Sequence, residues 1–111
     1  MDIRKGLAVL GSTGSVGVNT LDVVTSHPEK FTVITLAAHS NVEILEQQAR
    51  QFHPRLVVLF DEEKASLLKQ RLSDLDVEVD AGLEGLCRAA TYPGVELVVS
   101  AVVGSIGLLP T

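Results

Sequence analysis

Apolar residues in this chain fall into short continuous runs, separated by stretches in which they recur every three or four positions. Leu7 to Leu10 and Leu56 to Phe60 are apolar without alternation, the pattern of parallel strands covered on both faces. Phe31 to Ala38 has the β-branched and aromatic bias of a strand, and Val95 to Val99 reads as another with one charge, Glu96, near its start. Val77 to Val79 is short enough for a minor strand. The stretches between them have helical period. Val16 to about Ser26 carries Leu21, Val23 and Val24 inward and stops at His27-Pro28, because proline disfavours helical geometry in the residue before it. Asn41 is placed to cap a helix with Val42, Leu45, Ala49 and Phe52 on one face, ended by His53-Pro54. Ala65, Leu68 and Leu72 form the stripe of a third helix. Leu83, Leu86, Cys87 and Ala90 form that of a fourth, which puts the Cys87 thiol in the core as an inert small hydrophobe.

The resulting order, β-α-β-α-β-α-β-α-β, predicts an α/β fold with a doubly wound parallel sheet and right-handed crossovers. In such sheets ligands bind at the carboxyl edge of the strands. Three polar segments share that edge: the turn after Leu10, the cluster His39-Ser40-Asn41, and Ser100 onward.

The first of these carries the most chemistry. Gly11-Ser12-Thr13-Gly14-Ser15-Val16-Gly17 links the first strand to the first helix. Glycines let the backbone turn tightly and approach a ligand closely, and the first N–H groups of the helix are unpaired and electropositive. A dinucleotide pyrophosphate fits such a cradle. The spacing G-x-x-G-x-x-G is a variant of the usual G-x-G-x-x-G, and glycine turns between strand and helix also serve purely structural ends. No Lys-Ser or Lys-Thr follows the last glycine, so the turn is not a Walker A loop and nucleoside triphosphate hydrolysis is not expected.

Composition narrows the classes. A chain of 111 residues, 46% hydrophobic, forms one small domain with a packed core. A formal charge of −5 without a basic run argues against nucleic acid or an anionic membrane as partner. The apolar runs are strand-length and Met1 to Lys5 leads into no signal-type segment, so a cytoplasmic location is expected. One cysteine cannot form an internal disulfide, and the three histidines have no zinc-type spacing. Asp61-Glu62-Glu63 complement the dipole of the helix they open.

The cluster at the end of the second strand bears on which nucleotide is held. Enzymes that use NAD often place an acid there, on the ribose hydroxyls, where it repels a 2′-phosphate. Here His39, Ser40 and Asn41 offer donors and no acid, so NADP is expected to be preferred. The reading of His39 as a solvated loop residue stays open.

The combination of Gly11 to Gly17 with Asn19-Thr20-Leu21-Asp22-Val23-Val24, Pro28, Phe31 and Leu36-Ala37-Ala38 resembles the N-terminus of the 1-deoxy-D-xylulose 5-phosphate reductoisomerases. Asn41-Val42, Gln47, Gln48, Phe52-x-Pro54-Arg55, Ser100 to Gly104 and Gly107 to Thr111 resemble that family in the same order, over essentially the whole chain. The resemblance implies a Rossmann-like NADPH-binding domain, residues 1–111, of a longer homodimeric enzyme. That enzyme rearranges and reduces 1-deoxy-D-xylulose 5-phosphate to 2-C-methyl-D-erythritol 4-phosphate in non-mevalonate isoprenoid synthesis, with Mg or Mn holding the phosphorylated sugar. It places cofactor contacts on Thr13, Gly14, Ser15 and Val16 and on His39, Ser40 and Asn41. Most members have Gly or Ala where His39 stands, and many bacterial ones have Lys where Ser40 stands, which leaves open how the 2′-phosphate is held. Ala101 and Val102 match a segment near the cofactor. The family's metal and substrate ligands lie beyond the position matching Thr111, so the chain is expected to bind nucleotide without catalysis.

Two other readings compete. An aspartate-semialdehyde dehydrogenase type would need a nucleophilic cysteine, and Cys87 falls on an apolar helical stripe. A non-catalytic NAD(P)-sensing module would be expected to close its last helix, whereas Leu108 to Thr111 reads as a helix just opening. Gly104 to Gly107 echoes Gly14 to Gly17, most simply by coincidence.

Overall fold

The computed structural model describes residues 4–100. Its elements are β1 (Lys5–Leu10), α1 (Ser15–Ser26), β2 (Phe31–Ala38), α2 (Val42–Phe52), β3 (Leu56–Leu59), α3 (Glu62–Arg71), β4 (Glu78–Ala81), α4 (Gly82–Thr91) and β5 (Leu97–Ser100). The expected alternation is therefore present in full. The expectations for Ala101, Val102, Gly104 to Gly107 and Leu108 to Thr111 lie outside the described residues.

The five strands form one sheet in the order β4-β3-β2-β1-β5, and every neighbouring pair is parallel. The chain steps outward from β1 to β4, then returns across the sheet to place β5 beside β1. Crossovers of one hand require the helix to change faces when the direction reverses, and it does. Residues of α1, α2 and α3 pack with Leu7, Val9, Leu36, Val57 and Leu59 in the larger core. Ala89 of α4 packs with Ala37, Leu56 and Val58 on the other face. Adjacent residues of β3 thus point into different cores. Leu56, Val57, Val58 and Leu59 are all fully buried, which is why that run has no polar alternation. Each such side chain contributes about 1.5–3 kcal/mol of burial free energy.

Local signals set the element ends. Asn41 Oδ1 accepts from Ile44 N at 3.1 Å, and Asp61 Oδ1 accepts from Glu63 N and Lys64 N at 3.0 and 3.1 Å. His53 ends α2 in the left-handed region, φ 51°, immediately before Pro54. The Thr35 hydroxyl, buried within β2, donates to Ala89 O at 2.9 Å and ties the sheet to α4.

Two helical faces differ from expectation. In α1 the inward residues are Gly17, Leu21 and Val24, while Val23 is exposed, one 100° step off the stripe. In α4 the inward residues are Gly85 and Ala89. Leu83 is 67% exposed and Cys87 is exposed, so neither is core. The cause is close approach of helix to sheet. A β-carbon on Gly85 would lie 2.8 Å from Val58 Cγ1, so the helix docks through its smallest residues and rotates Leu83 and Cys87 away. Strand limits also shift: Phe60 lies past the end of β3, β4 begins at Glu78, and β5 begins at Leu97.

Candidate nucleotide-binding site

The register of the sheet brings its carboxyl ends level. Leu10 lies opposite Ala37 of β2 and Ser100 of β5, and Ala38 lies opposite Leu59. The residues that follow these strands therefore share one edge. A cleft of about 420 Å³ opens there, lined by Leu10, Gly11, Ala38, His39, Phe60 and Ser100, with Leu83 and Leu86 of α4 as its outer wall. The three polar segments expected at that edge meet in this cleft through Gly11, His39 and Ser100.

The glycine turn is built tightly onto the end of β2. Gly11 N and Ser12 N both donate to Ala37 O, at 2.7 and 2.9 Å. Gly11 has φ 84°, a left-handed conformation that favours glycine. Gly17 is required for another reason, since a β-carbon there would lie 2.2 Å from Gly11 O. Gly14 is demanded by neither argument. Its φ is −82° and a β-carbon would meet only Gly11 O, at 3.7 Å. The missing side chain at Gly14 leaves the mouth of α1 open.

That helix end is electrostatically distinct from the others described. The first intrahelical bond of α1 runs from Val18 N to Gly14 O, so the helix supplies no acceptor for the N–H groups of Ser15, Val16 and Gly17. No side chain caps it and no acid stands in its first turn. By contrast α2 has Glu43, α3 has Glu62 and Glu63 behind the Asp61 cap, and α4 has Glu84. The partial positive charge at the start of α1 is thus left for an external anion.

Of the expected site residues, Thr13 is half-buried in the turn, and Gly14, Ser15 and Val16 are exposed at the helix mouth. His39 is exposed and lies in the cleft, its ring stacked on Phe60 with centroids 5.5 Å apart and planes at 27°. Its carbonyl accepts from Asp61 N at 2.9 Å, which holds the loop after β2 against the start of α3. Ser40 is half-buried, and Asn41 spends its side-chain oxygen on capping α2. Neither lines the cleft. The residues that sequence reasoning missed are Phe60, Leu83 and Leu86. Phe60 carried a signal, as the last apolar residue of a strand at the ligand-binding edge; the two leucines were hidden by the wrong helical face. Among the described residues no group of three or more His, Cys, Asp or Glu side chains is placed to hold a metal ion. No helix among them is long and apolar enough to cross a membrane.

A family model described as 1-deoxy-D-xylulose 5-phosphate reductoisomerase matches residues 7–111. The reductoisomerase of Trichlorobacter lovleyi is 51% identical over 107 residues, which cover 96% of this chain and 27% of that protein. That of Lachnoclostridium phytofermentans is 53% identical over 106 residues, again 96% of this chain and 27% of the relative. The chain therefore spans about a quarter of the length of these relatives. Among solved structures, a DOX-P reductoisomerase in complex with NADPH, fosmidomycin and magnesium superposes with a TM-score of 0.86 at 36% identity, covering 94% of this chain and 26% of that one. The enzyme from Zymomonas mobilis in complex with NADPH gives 0.79 at 33%, covering 85% of this chain and 25% of that one.

Proposed function

The chain belongs to the 1-deoxy-D-xylulose 5-phosphate reductoisomerase family, and on that premise we propose that it forms the NADPH-binding domain of such an enzyme. The observation that carries this reading is the α1 N-terminus, open at Gly14 and without acid or cap, facing the same strand edge as the acid-free end of β2. The N–H groups of Ser15, Val16 and Gly17 are the donors for the pyrophosphate, and Thr13 to Val16 form its walls. His39 and Ser40 supply polar groups for the ribose and its 2′-phosphate, and the His39–Phe60 stack offers a flat platform for a planar base. Asn41 acts there mainly by fixing the loop, since its side-chain oxygen already caps α2.

Bound NADPH supplies a hydride. What this chain contributes is to bind and orient the dinucleotide at the carboxyl edge of its sheet. The rearrangement and reduction of 1-deoxy-D-xylulose 5-phosphate, with Mg or Mn holding the substrate, belongs in this reading to the longer homodimeric, cytoplasmic enzyme. Its length is supported by relatives about four times as long as the match. The 111-residue chain then binds cofactor without turnover.

The test is a fluorescence titration of the chain with NADPH and with NADH. Tighter binding of NADPH is the expected result. Equal affinities would remove the 2′-phosphate preference, and no binding of either would overturn the cofactor reading.

A further inference from the structure

We infer that Gln48 is a positioning residue for the pyrophosphate-binding turn, acting on it through Ser12; the inference rests on the cofactor reading above. Ser12 is fully buried, and Gln48 is 8% exposed on the inward face of α2. Gln48 Nε2 donates to Ser12 O at 2.8 Å, a bond that joins helix α2 to the glycine turn across 36 positions of sequence. The consequence follows from the peptide unit. A trans peptide is planar with its C=O and N–H directed oppositely, so the carbonyl of Ser12 and the N–H of Thr13 move as one plate. With the carbonyl pinned inward by Gln48, the Thr13 N–H is turned outward. It then joins the N–H groups of Ser15, Val16 and Gly17 as a donor on the side where a phosphate arrives.

A second observation points to the same pair. Ser12 Oγ and Gln48 Oε1 are both buried and neither has a hydrogen-bond partner. The amide can satisfy Ser12 O only with its nitrogen turned toward that carbonyl, which leaves Oε1 as a pure acceptor. The Ser12 hydroxyl is a rotor that can donate, so the two orphans complement each other. The observed tie is the bond from Gln48 Nε2 to Ser12 O, and rotation of the turn peptide would break it.

This role concerns the pyrophosphate end of the site and not the ribose end near residues 39 to 41. Gln48→Met keeps the length and bulk of the side chain and removes the donor. In the variant, folded by circular dichroism, NADPH and NADH should each bind about tenfold more weakly, as loss of one buried hydrogen bond implies. Binding of adenosine 2′-monophosphate, which lacks a pyrophosphate, should be unchanged. Unaltered dinucleotide affinity, or an equal loss for adenosine 2′-monophosphate, would overturn the inference. Should Gln48→Met not fold, the wild-type protein decides by NMR. The Gln48 side-chain amide protons should exchange slowly with solvent and shift on addition of NADPH but not of adenosine 2′-monophosphate. Fast exchange, or no shift with NADPH, would count against it. A wild-type chain that binds neither dinucleotide removes the cofactor reading first and this inference with it.

Discussion

The α-carbon of Gly17 faces the carbonyl oxygen of Gly11 so closely that a β-carbon on it would lie 2.2 Å from that oxygen and 2.6 Å from Ser12 Cα. Both obstacles are backbone, so a side chain at 17 has to displace the turn itself. Gly17→Ala is therefore expected to cost about 1–3 kcal/mol, seen as a clear drop in Tm. At a temperature where the variant is folded, NADPH titration should show affinity reduced at least tenfold.

Gly14 sits in the same turn and should behave differently. Its backbone is extended and a β-carbon there meets nothing closer than 3.7 Å. Gly14→Ala should leave the unfolding free energy within about 0.5 kcal/mol of wild type, while obstructing the approach of a phosphate to the start of α1. Binding lost at constant stability is the outcome that separates a ligand-facing glycine from a structural one. Unchanged NADPH affinity would show that the ligand does not come close to Gly14.

The face by which α4 docks can be tested in the same way. Cys87 is exposed, so Cys87→Ser should change stability by less than about 0.5 kcal/mol. Gly85→Leu, which drives a large side chain into Val58, should cost several kcal/mol or prevent folding. A denaturant titration of the two variants distinguishes this face from one centred on Leu83 and Cys87.

Helix caps give a control for indirect effects on the site. Asp61 accepts from two N–H groups of α3 and lies outside the proposed contacts, so Asp61→Ala should lower stability by about 1 kcal/mol with NADPH affinity retained. Asn41→Ala removes a cap of similar worth next to His39 and Ser40. A greater loss of NADPH affinity in Asn41→Ala than in Asp61→Ala would be the signature of a loop that shapes the ribose end.

At the far end of the sheet, Arg88 on α4 pairs with Glu78 and Asp80 of β4, and the Tyr92 hydroxyl donates to Glu78 Oε1 at 2.9 Å. The hydrogen bond from Arg88, then that from Tyr92, holds the Glu78 carboxyl below its ordinary value of 4.5. The unfolded chain thus takes up this proton more readily than the folded one. The stability it confers is present above about pH 4.5 and is lost as pH falls through the lower folded value. Tm measured against pH should fall on the acid side, and Glu78→Gln should flatten that part of the curve. The whole cluster is solvent-exposed, so the effect will be small and will shrink with added salt.

What the sequence by itself determined is the order and kind of the elements, because their causes lie within a few residues. The continuous apolar run from Leu56 reads as a strand buried on both faces, and the Asn41 cap begins its helix within four positions. The glycine turn between the first strand and the first helix was equally legible, and it lay at the carboxyl edge of the sheet, where ligands bind in folds of this kind. Tertiary structure decided whatever depends on how closely two elements approach. Four apolar residues at helical spacing put Cys87 inside, yet the contact of Gly85 with Val58 set the rotation of α4. That rotation moved Leu83 and Leu86 into the wall of the cleft. The stacking of His39 on Phe60 and the bond from Gln48 to Ser12 join residues 21 and 36 positions apart. No local pattern encodes such distances, since only the register of parallel strands brings their ends together.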